Sequence, residues 1–264
     1  MLTQLDLCTG YGCGFPLATL RSGKIRLIGV AEHDKDIIEV LEQRFPSAEQ
    51  CGDIHTFKWS KWDKRPDIIT CSPPCQPFSL QGDRKGSTDE RDCIPGILKI
   101  LDLLKPRYFA LENVPGILSC PFRPGDQPGT YFARLLHRLA QSGFDAEWQC
   151  VSSSDFGAPF KRERVLLVAV SRGAVKPEWY ETAWADQIRS VAERSRGAIP
   201  ETSIKSGNLG ESLRTALGVD RPLGIASGTR TVRNRRAGLG NSLDPRVGGA
   251  AIDRILWIDA NYRI

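Results

Sequence analysis

The chain has 264 residues, 41% hydrophobic and 25% charged, enough for one large α/β domain with a small appendage. It has no run of about 18 apolar residues, which excludes a membrane-spanning helix. The opening MLTQLDLCTG has neither a basic leader nor a long apolar stretch, which predicts a cytoplasmic protein.

In chain order, MLTQLDLC reads as a short first strand. It leads into the glycine-rich turn TGYGCG and a helical FPLATLRSG that ends in glycine. KIRLIGVAEHD reads as a second strand, and KDIIEVLEQRF places apolar residues at helical spacing. DIIT is a strand, DCIPGILKILDLLKP a helix stopped by proline, RYFALENV a strand, and TYFARLLHRLAQSG a helix closed by glycine. DAEWQCVSSSDFG and RVLLVAV pair as an antiparallel hairpin in this reading. Alternating strands and helices predict an α/β fold, a Rossmann-like, doubly wound, mostly parallel sheet. After Arg172 the pattern changes to a single helical stretch and then a Gly-, Ser- and Arg-rich segment. The expected organisation is a catalytic domain over 1–171, a small lobe over 172–238, and a C-terminal helix over 239–264 that returns to the main domain.

Charge is unevenly placed. Residues 1–171 hold 21 Lys+Arg and 21 Asp+Glu, whereas residues 172–264 hold 15 and 10, so the net +5 falls in the last third. A basic region beside a neutral domain suits a polyanion such as a phosphate backbone, although a solvated arginine-rich surface has the same composition.

Eight cysteines stand at positions 8, 13, 51, 71, 75, 93, 120 and 150. In a chain of this size with no secretion signal they are expected to be reduced. Cys71 and Cys75 have CxxxC spacing, but no second pair follows and His33, His55 and His137 are scattered, so no zinc site is expected. Cys75 stands out by its setting, DIITCSPPCQPFSLQG. Pro73, Pro74 and Pro77 each fix φ and restrict the residue before them. Such a frame suits a nucleophile held at a strand end, or equally a rigid turn around a small buried residue.

Ligands on open α/β sheets lie at the carboxyl ends of strands, and Cys8–Gly14, Glu32, Asp53, Cys75 and Glu112 all follow predicted strands. The glycine turn lets a ligand approach the backbone but lacks the P-loop pattern. Its spacing also differs from G-x-G-x-x-G, which argues against a nicotinamide enzyme. Glu32 suits a ribose acceptor. Glu112, between apolar neighbours, suits a carboxyl whose proton is retained by desolvation.

Taken in order, DLCTGYGCG, PPCQPFS, ENV, KRERV and GNSL resemble the first, catalytic-loop, glutamate, arginine and last motifs of the cytosine-C5 DNA methyltransferases. The resemblance runs from Leu5 to about Ile258, apart from the middle of the small lobe. It implies a class I S-adenosylmethionine-dependent methyltransferase that acts on cytosine in double-stranded DNA as a monomer, flips the base out, and releases S-adenosylhomocysteine. It makes Cys75 the nucleophile and Glu112 the partner of cytosine N3. Asn113 would support the loop, Arg164 would bind the cytosine O2, and Arg162 would stand near the cysteine or the phosphate. It assigns Asp6, Cys8, Gly10, Tyr11, Gly12, Gly14, Glu32, His33, Asp53, Ile54, Pro74, Asn241 and Ser242 to the cofactor. Gln76 and Ser79 would meet the DNA from the loop.

The departures are Cys8 and His33, where the family usually has aromatics against the adenosine, and Phe160 in place of a glutamine. The small lobe is short and has no recognisable ninth motif. Two other readings remain open at this point: a tRNA cytosine-C5 methyltransferase, whose Cys-Phe-Thr signature is not found, and a catalytically weak DNA-binding relative.

The basic cluster Arg230, Arg233, Arg235 and Arg236 is expected to contact phosphates. Changing all four to alanine should weaken DNA binding and flatten its dependence on salt. An unchanged salt slope would return the cluster to an ordinary solvated surface.

Overall fold

The computed structural model describes residues 1–158, 160–196 and 243–264. Seven strands form one sheet: β1 (Leu2–Leu7), β2 (Ile25–Ala31), β3 (Glu49–Gln50), β4 (Ile68–Cys71), β5 (Tyr108–Asn113), β6 (Phe144–Ser152) and β7 (Glu163–Ser171). Their order is β3-β2-β1-β4-β5-β7-β6. The first five are parallel, whereas β7 runs antiparallel to both β5 and β6. The doubly wound, mostly parallel sheet expected from the sequence is present, as is the β6–β7 hairpin. The edge strand β3, only two residues long, was too short to leave a periodic signal.

Side chains alternate between the two faces of this sheet, as the two-residue period of a strand requires. Leu5, Ile69, Cys71, Phe109, Leu111 and Leu167 face one core, which α3 (Ile94–Leu104) and α5 (Thr130–Gln141) cover. Leu2, Ile68, Tyr108, Ala110, Leu166 and Val168 face a second core. That core is covered by α1 (Phe15–Ser22), α6 (Trp184–Arg196) and α7 (Pro245–Tyr262). Because both faces are covered, β5 reads YFALEN and is buried along its whole length, the continuous run typical of a central strand. Among the described residues the remaining α-helices are α2 (Lys35–Arg44), which packs on β2 through Leu41, and the short α4 (Gly116–Ser119).

The helix ends follow local chemistry. Gly23 closes α1 in a left-handed conformation with φ 63°, which glycine adopts without steric cost. The Asp34 carboxylate caps α2 by accepting hydrogen bonds from the backbone N–H groups of Asp36 and Ile37. Asp244 caps α7 in the same way, accepting from Arg246 N, and Pro245 occupies the first turn, where no N–H partner is needed.

Residues 172–196 extend the second core. Trp184 is fully buried and its indole N–H donates to the Ala250 carbonyl at 3.3 Å. Arg254 of α7 is also fully buried. Its guanidinium pairs with Glu147 at 2.6 Å, donates to the Thr182 carbonyl at 2.9 Å and lies over the Trp257 ring, so this buried cation is compensated on several sides. The remainder of the expected small lobe, residues 197–238, lies outside the described residues.

The loop after β4 is fastened to α4 by a very close approach. Gly116 presents its α-carbon to the Phe78 carbonyl, and a β-carbon there would stand 2.2 Å from that oxygen. Arg84 adds hydrogen bonds to the Gly116 carbonyl at 3.1 Å and the Ser119 hydroxyl at 2.8 Å. Gly116→Ala should therefore displace the loop and cost about 1–3 kcal/mol of stability, the usual penalty for overpacking. Urea denaturation measures this, and an unchanged midpoint would show that the loop is not held at Gly116.

Candidate active site

The carboxyl ends of β1, β2, β4 and β5 open into a cavity of about 550 Å³. Its size suits a nucleoside-sized ligand. Its walls include Asp6, Cys8, Gly10, Tyr11, Gly14, Glu32, His33, Asp53, Ile54, Pro74, Cys75, Gln76, Glu112, Asn113 and Arg164. Each of these carries a role in the sequence reading, although they span more than 150 residues of chain. Gly12, Ser79 and Arg162 lie outside this lining. Asn241, Ser242 and the four arginines at 230, 233, 235 and 236 lie outside the described residues.

The glycine turn after β1 and the end of β2 form one unit. Gly10, at φ 54°, donates its N–H to Glu32 Oε2 at 2.9 Å. The N–H groups of His33 and Asp34 donate to Glu32 Oε1 at 2.8 and 3.1 Å. Three backbone donors, with His33 Nδ1 also 2.9 Å from Oε1, thus fix the carboxylate at the cavity wall. Gly12, at φ 69°, passes under the Phe45 ring, and a β-carbon there would stand 2.4 Å from it. Gly14 packs against Leu243, at the end of the chain segment that leads into α7.

Asp6 lies beneath this turn, almost fully buried. It accepts a short hydrogen bond from the Thr70 hydroxyl, which in turn accepts from Gln4 Nε2 at 2.6 Å. Burial pushes the Asp6 carboxyl up to about 7, with the Thr70 and Thr9 hydrogen bonds opposing the shift and the Glu32 charge adding to it.

Cys75, Glu112, Asn113 and Arg164 line the same cavity from the loop after β4, the end of β5 and the start of β7. The Cys75 carbonyl accepts from Phe78 N at 3.0 Å and Ser79 N at 2.9 Å, which turns the chain sharply after the cysteine. Asn113 Nδ2 donates to the Pro73 carbonyl at 3.2 Å, so the end of β5 holds the base of the loop. Phe78 is fully buried with its ring 4.6 Å from that of Tyr131, which anchors the loop's middle. Gln76 is exposed, and Leu80 at the loop tip is 71% exposed.

Glu112 is buried and pairs through Oε1 with Arg164 Nε at 2.7 Å. Its carboxyl is nonetheless raised above the usual range. Burial outweighs the favourable charges of Arg164 and Arg162 and the hydrogen bond from Ser72. Arg162 is pushed down to about 10, chiefly by burial and then by the like charge of Arg164. Glu112 and Cys75, both within electrostatic reach, act in the other direction.

With this geometry in view, the model for the C-5 cytosine-specific DNA methylases matches residues 2–215 of the chain. The chain belongs to that family. Among curated relatives of this C-5 methylase, the type II methyltransferase M.NgoMIV of Neisseria gonorrhoeae is 29% identical over 169 residues. That match covers 64% of this chain and 51% of the relative. M.NaeI of Lentzea aerocolonigenes is 42% identical over 103 residues, covering 39% and 24%. The matches thus span about half or less of these relatives' lengths. The solved structure of a mutant Spodoptera frugiperda DNMT2 superposes with a TM-score of 0.66 over 97% of this chain and all of that one, at 16% identity. That of S. pombe Dnmt2 gives 0.65 over 99% and 100%, at 18% identity. These two likenesses establish the class I methyltransferase fold.

Ser72, His55 and Cys93 also line the cavity, and the sequence reading missed them. Ser72 stands one residue before the two prolines and reaches Glu112 only because β4 and β5 are neighbours. No local pattern marks it. Among the described residues, no helix is long and apolar enough to cross a membrane.

The Asp6 setting predicts a pH effect. In the folded protein the carboxyl keeps its proton to about pH 7, whereas in the unfolded chain it loses it near the ordinary aspartate value. The folded state therefore binds the extra proton, and stability falls as pH rises from about 4 to 7, by up to about 4 kcal/mol. Asp6→Asn should remove this fall and gain on the parent as pH increases, read by urea midpoints at pH 5 and 7.5. A constant difference between the two proteins would show that Asp6 is already ionised in the fold.

Proposed function

We propose that this protein transfers a methyl group from S-adenosylmethionine to carbon 5 of cytosine in double-stranded DNA. The observation that carries this reading is the meeting of Cys75, Glu112 and Arg164 in one cavity with the glycine turn and Glu32. Family membership and the type II methyltransferases among the relatives support it.

The residues present fit the cofactor. The open backbone at Gly10 and the oriented Glu32 carboxylate suit a ribose, while Ile54 and Asp53, assigned to the adenine by motif, and Pro74, assigned to the methionine part, line the same cavity. Asn241 and Ser242 are assigned to its tail by motif alone. S-adenosylmethionine, when bound, supplies an electrophilic methyl group.

Carbon 5 of cytosine is too electron-poor to react unaided. The Cys75 sulfur adds to C6 as a thiolate, forming a C–S bond and pushing electron density towards C5 and N3. Glu112, a carboxyl disposed to hold its proton, hydrogen-bonds or protonates N3 and so accepts that density. Arg164 pairs with Glu112 and is assigned the cytosine O2 by motif. After methylation, loss of the C5 proton lets the C–S bond break, and Cys75 leaves as thiolate. A hard substitution is thereby divided into easier steps. A duplex base must leave the stack to reach Cys75, at a cost of a few kcal/mol. Gln76, exposed beside the nucleophile, and Ser79 are assigned to the vacated stack and the backbone.

Tritium transfer from labelled S-adenosylmethionine into mixed duplex DNA, with bisulfite sequencing of the product, tests the reaction and reports the recognition sequence. Cys75→Ser should abolish transfer while cofactor binding persists. Glu112→Gln should lower turnover about 10²-fold or more, the usual worth of a positioned acid. Near-normal turnover in Cys75→Ser would sink the covalent mechanism. Label in tRNA but not in DNA would change the substrate, and cofactor binding with label in neither would leave a non-catalytic relative.

A further inference from the structure

The turn Gly10–Gly14 holds glycine at its first, third and fifth positions, so its backbone has little stiffness of its own. Glu32 secures its first residue through the Gly10 N–H. A second support comes from the far end of α2. Arg44, the last residue of that helix, donates from Nη1 to the Tyr11 carbonyl at 2.7 Å and to the Cys13 sulfur at 3.3 Å. The Cys13 sulfur lies 3.9 Å from the same carbonyl, so guanidinium, carbonyl and thiol close a small cluster. Phe45, the C-cap of α2, is buried with its ring against Gly12, where a β-carbon would stand 2.4 Å away.

Two consecutive residues of α2 thus hold three consecutive residues of the turn. Tyr11 and Cys13 line the cavity, whereas Arg44 and Phe45 do not. In the sequence, Arg44 is an ordinary cation at a helix C-terminus, where the dipole favours positive charge. In the fold it is half-buried and spends its Nη1 hydrogens on the turn. A hydrogen bond from a charged donor is stronger than one between neutral groups, so this contact is well suited to stiffen a glycine-rich backbone.

We infer that Arg44 is a positioning residue for cofactor binding, which holds the Tyr11–Cys13 stretch in the shape that receives S-adenosylmethionine. The inference rests on the proposed cofactor site. Arg44 acts through the turn rather than on the cofactor. Without its guanidinium the turn would occupy several conformations, and binding would first have to order it, at the expense of affinity. Cys75 and Glu112 belong to other elements, so the chemical step would proceed unchanged once the cofactor is seated. The loss therefore falls on KM and not on kcat.

The test compares the full chain with its Arg44→Ala, Arg44→Lys and Val40→Ala variants. Val40 is buried on the same helix, so truncating it destabilises α2 while leaving the Arg44 donors in place. Calorimetry measures S-adenosylmethionine binding, tritium transfer gives KM and kcat, and urea midpoints give stability. Iodoacetamide alkylation with peptide mass mapping reads the accessibility of Cys13, which is buried in the parent. Arg44→Ala should weaken binding roughly tenfold or more, the worth of a hydrogen bond from a charged donor. It should raise KM to match, keep kcat within about twofold, and speed Cys13 alkylation. Arg44→Lys, which keeps one charged donor, should recover part of the affinity. Val40→Ala should lower the urea midpoint with little effect on binding or alkylation. Parent-like binding in Arg44→Ala would overturn the inference, as would a fall in kcat with KM unchanged. So would a loss of affinity in Val40→Ala as large as that in Arg44→Ala, which would reduce the role of Arg44 to general stability. Should Arg44→Ala fail to fold, Arg44→Gln decides by the same comparison. Failure of the parent to bind S-adenosylmethionine would instead remove the proposed cofactor site, and the positioning role with it, while Cys13 alkylation still reads whether Arg44 holds the turn.

Discussion

The site depends on the reversal of β7 against β5. In the parallel part of the sheet every strand delivers its last residues to the same edge, so the chain leaving β4 and the end of β5 meet there, with Cys71 opposite Leu111. A further parallel strand would bring only its own end to that edge. Because β7 runs antiparallel, its beginning arrives instead, with Glu112 opposite Leu166 and Asn113 opposite Val165. Arg164 is thereby delivered to Glu112, and Arg162, just before the strand, to the neighbourhood of Cys75. One strand direction converts residues some ninety positions apart into a single wall.

That wall is held by backbone-directed contacts. Asn113 bonds the Pro73 carbonyl, Gly116 admits the Phe78 carbonyl, and Phe78 fills a core position against Tyr131. The prolines at 73, 74 and 77 reduce the freedom the loop would otherwise lose on ordering. The polar residues it presents, Cys75 and Gln76, are therefore carried on a frame secured from beneath. The glycine-turn side follows the same logic, with three backbone N–H groups on Glu32 and a buried Thr70–Asp6 bond below. Burial raises both Asp6 and Glu112, and the shift is opposed by hydroxyl hydrogen bonds at Asp6 and chiefly by arginine charges at Glu112.

Much of the architecture was legible in the chain because it is written in local periods. Strand runs such as RYFALENV, helices with apolar residues at i, i+3, i+4 and i+7, and glycine or proline at their ends specify an alternating α/β order without knowledge of contacts. The motifs around Cys75, Glu112 and Arg164 were also legible, since each is a short contiguous string. Local strings carry no distances, so the rest waited for the fold. Only tertiary structure brought Ser72 to Glu112, put Trp184 under Ala250, and compensated Arg254 with Glu147. In each case the partners lie far apart in sequence, and their meeting depends on strand order and helix packing. Residue type and local spacing determined which groups are available for chemistry. Sheet topology and burial decided which of them meet, and with what charge.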